Sequence, residues 1–227
     1  MNLLALDTSS IACSVAVRVD GRIFKRHEEQ AREHTRLLIP MIRSVLLDAE
    51  VDLCDLDGIV LGNGPGSFIG MRIAASVAQG LAFGAGLKIA PVSSMAALAA
   101  EVGASSPARV AVAQDAHMQE VYLGMYEVTG DTVTALIAER LQGCDAIPEL
   151  NEGGDFVAAG YGWQRYPGLL EKNRANLRGA AKLLHPHAEF LLKPGSDAFE
   201  RGEAIAADNV IPAYLRQKVA EIPNRKV

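Results

Sequence analysis

At 227 residues, 49% of them hydrophobic, the chain is long enough to bury a substantial core, as one large domain or two small lobes. A charged fraction of 22% and a formal net charge of −5 exclude a disordered chain and argue against one that holds nucleic acid by its own charge. Cys13, Cys54 and Cys144 are scattered and odd in number, without Cys-x-x-Cys spacing, so neither a disulfide framework nor a zinc site is expected.

The opening Met1-Asn2-Leu3-Leu4-Ala5-Leu6-Asp7 has no basic segment and meets an acid too early for a signal peptide, so a cytoplasmic chain is expected. Leu3 to Leu6 reads as a short strand ending in Asp7. Val15, Val17 and Val19 alternate in a second strand, Asp20-Gly21 turns the chain, and Ile23-Phe24 begin a third. A helix is predicted over 33–49, a strand over 58–61 and a second helix over 68–83. The longest uncharged run, Ile73 to Leu87, is shorter than a membrane span and reads as a buried helix.

The second half repeats the opening. Val110 to Ala113 runs on towards Asp115; Val121, Leu123 and Met125 alternate; Gly130-Asp131 turns; Thr132 to Ile137 closes the set. Two units of strand, aspartate, strand, turn and strand predict an internally duplicated α/β fold, with lobes at 1–106 and 107–227 that meet at Ser105-Ser106-Pro107.

On the first helix Leu37, Leu38, Met41, Ile42, Val45, Leu46 and Ala49 cover an arc of roughly 180°, wider than the roughly 100° that one core requires. The second helix is apolar nearly all round. The sheet and the other lobe account for such an excess; so does a partner chain. On the second reading the interface is expected at Leu38, Met41, Ile42 and Val45 of the first helix, which Pro40 is expected to kink, and at Met71, Ala74, Ala75 and Ala78 of the second.

Between strand and second helix lies Gly62-Asn63-Gly64-Pro65-Gly66-Ser67-Phe68-Ile69-Gly70-Met71-Arg72. Taken alone, Gly64, Pro65, Gly66, Ser67, Phe68 and Gly70 form either a tight strand-to-helix turn or a loop offering N–H groups to an anion. No Gly-Lys-Ser/Thr follows, so it is no Walker loop. Ser67 lacks the flanking pattern of a hydrolase elbow and reads as a turn or helix-capping residue. His185 and His187 flank Pro186 and are expected in an exposed turn.

Together with Asp7-Thr8-Ser9-Ser10, Cys13-Ser14-Val15-Ala16, Arg32-Glu33-His34-Thr35, Asp115-Ala116-His117-Met118-Gln119-Glu120-Val121-Tyr122 and Pro212-Ala213-Tyr214-Leu215-Arg216, this loop resembles the TsaB/YeaZ family, the small subunit of the bacterial tRNA threonylcarbamoyladenosine system. Two positions depart from the family: Ile69 stands where threonine is usual, and His117 where arginine is common. The resemblance implies the duplicated actin-like, Hsp70-like and sugar-kinase-like fold. It implies a non-catalytic subunit that activates the paralogue TsaD, which transfers threonylcarbamoyl to an adenosine beside the anticodon in tRNAs reading codons that begin with A. A TsaE-type ATPase in the same complex and a self-dimer are further implied partners. tRNA is reached only through the complex, and no membrane is involved.

In nucleotide-binding relatives of this fold, the carboxylate ending each lobe's first strand positions magnesium or water. Asp7 and Asp115 resemble those positions, but Ser9 stands where glycine is common, so Asp7, Ser9 and Asp115 are expected to form a degenerate nucleotide site with no cofactor held by this chain alone. TsaD carries two metal-binding histidines one helical turn apart. Here Ser94 and Leu98 take those places in Ser93-Ser94-Met95-Ala96-Ala97-Leu98, so no metal site is expected. The alternative function is an independent ATPase or small-molecule kinase of the same fold. A peptidase lacks any nucleophile or metal constellation in the sequence.

Overall fold

Apolar alternation on both sides of Asp20-Gly21 builds the first hairpin. A computed structural model describes residues 1–30, 32–144 and 154–216; the remainder of the expected second lobe, at 145–153 and 217–227, lies outside that description. β1 (Leu3–Asp7) pairs antiparallel with β2 (Cys13–Val19), which pairs with β3 (Arg22–Glu28). Asp20 and Gly21 adopt φ of 49° and 80°, the positive values that a two-residue hairpin turn demands.

The chain then forms α1 (His34–Asp48), β4 (Gly58–Gly62), α2 (Phe68–Ala85), β5 (Ile89–Val92) and α3 (Ser94–Gly103). β4 lies parallel to β1 and β5 parallel to β4. Helices cover β1 and β4 on both faces, which is why their sequences are continuous apolar runs.

The second half gives β6 (Ala108–Asp115), β7 (Glu120–Thr129), β8 (Thr132–Gly143), β9 (Phe156–Ala159), α4 (Tyr161–Arg165), α5 (Pro167–Asn173), β10 (Leu177–Ala180) and α6 (Leu192–Glu200). Its sheet runs β10-β9-β6-β7-β8, against β3-β2-β1-β4-β5 in the first. Outward from the central strand, each sheet has two successive antiparallel pairings on one side and two parallel pairings on the other. The duplication expected from strand patterning is therefore present in topology.

The sheets divide between α3 and β6, but helix packing crosses that line. α3 sends Met95, Leu98 and Ala99 into a cluster with Val110, Val112 and Tyr126 of the second sheet. Leu192 of α6 and the preceding turn at Ala188–Leu191 cover Leu3, Ala5 and Val60 of the first. Each half thus lends a helix to the other's sheet, fixing the lobes to one another.

α1 and α2 lie on the opposite face of the first sheet. Leu38, Met41, Ile42, Val45, Ala74, Ala75 and Ala78 are buried there with Leu4, Leu6, Val15 and Ile59, and partly buried Leu37, Leu46 and Ala49 pack on them; Met71 is buried as well, at 3% exposure. This corrects the expected interface, since all eight side chains belong to the monomer's own core. The wide arc of α1 is absorbed by the sheet below and by α2 beside it. α1 runs through Pro40 as one helix.

The expected exposed turn at His185 and His187 is also corrected. His185 is only 3% exposed. The His187 ring lies 3.9 Å, centroid to centroid, from that of His27 on β3, and its Nδ1 is 2.6 Å from Glu101 on α3. The crossover from second sheet to first leaves no room for a solvated loop there.

Candidate functional site: the paired strand ends

In both lobes the first strand ends in an aspartate whose Oδ1 accepts from the backbone N–H two residues on, at 2.8 Å: Ser9 to Asp7, and His117 to Asp115. The repeat therefore extends to the site. What surrounds the two carboxylates differs.

Asp7 is 1% exposed. Its Oδ1 also accepts from Ser9 Oγ at 2.7 Å, and Oδ2 accepts from Ser94 Oγ at 2.5 Å. Burial pushes this carboxyl above its ordinary value, against the downward pull of the bonds from Ser94 and Ser9. Ser94 Oγ in turn accepts from the Gly64 N–H at 3.0 Å, so one buried hydroxyl ties the glycine loop to the first strand. Ser94 was expected here only as a replaced ligand. Its clamping role was missed because 87 residues separate it from Asp7 and no local pattern links them.

The glycine loop closes down on the strand end. Ser67 N donates to Ser9 O at 2.6 Å, and Thr8 Oγ1 donates to Gly70 O at 2.6 Å. A Cβ at Gly66 would lie 2.1 Å from Ser9 O, one at Gly70 1.9 Å from Thr8 O, and one at Gly62 2.0 Å from Asp7 Oδ2. Gly64 has φ of 82°, and the Gly64-Pro65 bond is cis. These glycines serve close approach of the chain to itself, and Gly66 and Gly70 also face the cleft between the lobes. Ser67 caps α2, its side chain accepting from Gly70 N at 3.2 Å, as the sequence predicts. Phe68 stands at the loop's outer edge with Arg72 stacked 3.2 Å above its ring centroid.

Asp115 is more open. Its Oδ1 also accepts from Tyr166 Oη at 2.8 Å, and Oδ2 is 3.4 Å from His117 Nδ1. Burial and this carboxylate push the Tyr166 phenol up to about 12. His117, Met118 and Gln119 all have positive φ, between 54° and 60°, a strained hairpin tip for residues with side chains. A cleft of about 500 Å³ between the lobes is lined by Asp115 and His117 from one side and by Ser9, Ser10, Arg32 and the glycine-loop residues Gly66 and Gly70 from the other. Asp7 does not line it, so the structure does not bring the two carboxylates to one cavity.

The first carboxylate has both oxygens engaged within the chain, so in this arrangement it is not free to hold a metal. Nor do residues 93–98 form a donor set, since Ser94 is committed to Asp7 and Leu98 sits in the α3 core.

The two sheets of one topology, each led by a strand ending in a carboxylate, define a protein of the actin-like, Hsp70-like and sugar-kinase-like class. The family model for TsaD, tRNA N6-adenosine threonylcarbamoyltransferase, matches residues 26–224. The chain is 36% identical to the tRNA threonylcarbamoyladenosine biosynthesis protein TsaB of Escherichia coli, over 97% of this chain and 96% of that protein. It is 35% identical to TsaB of Haemophilus influenzae, over 100% and 99%. YeaZ from Pseudomonas aeruginosa superposes with a TM-score of 0.86 at 38% identity, over 94% of this chain and 99% of that one. A second P. aeruginosa structure, described as an uncharacterized protein with similarity to peptidase YEAZ, gives the same TM-score and identity. The chain belongs to the TsaB/YeaZ family of tRNA threonylcarbamoyladenosine biosynthesis proteins.

Proposed function

We propose that this chain is the non-catalytic partner of a TsaD-type paralogue, required for threonylcarbamoyladenosine formation on tRNA and holding no cofactor by itself. The observation that carries this reading is the engagement of the first carboxylate: Asp7 is buried and both its oxygens accept from Ser94 and Ser9. An enzyme of this fold needs that carboxylate free for metal or water. The protein works in the cytoplasm, where tRNA is, in a complex that also includes a TsaE-type ATPase.

Pairing is through the outward faces of the same two helices whose inward faces form the core. Ile69 and Phe83 of α2 are 69% and 86% exposed, and Ile39 of α1 is 36% exposed. Thr35, Ile39, Ile69, Ile73 and Val77 border an open groove between the helices. Ser76, Gly80 and Gly84 follow one another at four-residue spacing, and a Cβ at either glycine would meet nothing within 4 Å. A row of small residues flanked by apolar ones admits a partner helix at close range. In the paralogue's absence the same face serves a self-dimer.

The independent-kinase reading makes the opposite prediction for the purified chain. Assayed alone, it is expected to show no ATP hydrolysis above buffer, and to co-elute with the paralogue on size-exclusion chromatography. Turnover that disappears on Asp115→Asn would overturn the non-catalytic assignment.

A further inference from the structure

We propose that the stretch from Arg165 to Lys182 on the second lobe is a phosphate-contacting strip that helps the assembled complex hold tRNA. The inference rests on the family reading above and adds to it a surface of this chain that touches the RNA backbone.

In a chain of net charge −5, this stretch carries Arg165, Lys172, Arg174, Arg178 and Lys182 against one carboxylate, Glu171. All five cations are exposed. They run from the end of α4, over α5 and along β10, the outer strand of the second sheet. Arg165 and Lys172 border one surface hollow of about 400 Å³. Arg178 lies 3.7 Å from Asp155, both well exposed, a pair that salt and competing phosphate readily displace. Arg174 and Lys182 make no ion pair among the described residues, unlike Arg26, Arg36, Lys193, Arg201 and Arg216 elsewhere on the surface.

A protein-docking face wants large apolar anchors at its centre. Here Leu170, 38% exposed, is the one large apolar side chain of the stretch among the notably exposed ones. A stretch of exposed like charges with so few apolar anchors suits a polyanion, whose condensed counterions are released when cations replace them. The strip also lies on the second lobe, whereas the proposed pairing face is on α1 and α2 of the first, so pairing leaves it accessible. With the chain's total charge negative, the strip adds to binding within the complex and does not give this chain strong affinity alone.

The test uses the complex of this chain with its TsaD-type paralogue and unmodified tRNA. The triple variant Arg165→Glu/Arg174→Glu/Lys182→Glu is expected to pair normally, to bind tRNA at least tenfold more weakly, and to lower the slope of log K against log salt by about 2 to 3. The milder Arg174→Gln/Lys182→Gln, which places no new charge beside Glu171, is expected to lower the slope by about 1 to 2 and serves if the triple variant does not fold. Arg22→Glu, at the far edge of the first sheet, is the control and leaves both quantities unchanged. Wild-type affinity and slope in the strip variants would overturn the proposal and leave the cations as guards of an edge strand. Weakened pairing with unaltered tRNA binding by the complex that still forms would overturn it too, marking the strip as protein-facing. Failure of the wild-type complex to modify tRNA would count against the family-level function instead.

Discussion

Asp7 is held by three hydrogen bonds, and Ser94 Oγ links it to the glycine loop. Ser94→Ala removes a donor to a buried carboxylate and an acceptor for the Gly64 N–H, so a loss of roughly 1–3 kcal/mol is expected in urea denaturation. A variant as stable as wild type would show that the clamp contributes nothing. Glycines on one helix test the same packing with opposite signs. Gly70→Ala drives a methyl into Thr8 O and destabilises; Gly80→Ala meets open space and stabilises the monomer by about 0.5–1 kcal/mol through helix propensity, which thermal unfolding of the two variants checks. Asp7, Asp115 and the Ser67 cap were legible in the sequence because each follows from a strand end or a helix start. The Ser94 clamp and the Tyr166 bond to Asp115 were not, because they join residues far apart in the chain.

At the scale of elements, α1 and α2 were placed correctly by periodicity but their faces were assigned wrongly. Periodicity reports how much apolar surface a helix carries, not which neighbour takes it, and here the sheet and the adjoining helix take the inner rows. The corrected prediction separates the faces. Ile42→Asp and Ala75→Glu bury a charge in the core and are expected to unfold the chain, whereas Ile69→Asp and Phe83→Asp, at exposed positions, leave circular dichroism unchanged and abolish pairing with the paralogue. Pairing that survives both outer variants would move the interface elsewhere. The seam of β3, α3 and the crossover gathers His27, His185 and His187, with Lys25, Glu29, Glu101 and Glu189 facing them. Burial holds His27 and His185 below 6.5, while Glu101 raises His187. The sign follows for each. As pH falls past 6.5 the unfolded chain takes up protons that folded His27 and His185 refuse, so their effect is a loss of stability in acid. The His187 contribution is full below 6.5 and lost as pH rises through its folded value. His185→Asn is therefore expected to flatten the decline in unfolding free energy from about pH 7 to about pH 5; an unchanged slope would remove His185 from the account.

At the scale of the molecule, two copies of one topology have diverged, with the first carboxylate buried within the chain and the second facing the cleft. The duplication was legible because strand, aspartate and turn recur with the same alternation in both halves. The exchange of α3 and α6 between sheets was not, since helix sequence records an apolar face without naming the sheet that it covers. The central claim is that this chain contributes to tRNA modification by pairing and not by chemistry. It is tested most directly by measuring threonylcarbamoyladenosine formed on tRNA in a reconstituted system with this chain, the TsaD-type paralogue and the TsaE-type ATPase, each omitted in turn. The account predicts no product from this chain without the paralogue, little from the paralogue without this chain, and full activity from the pair carrying Asp115→Asn. Modified tRNA formed by this chain alone, or activity lost with Asp115→Asn while pairing persists, would contradict it.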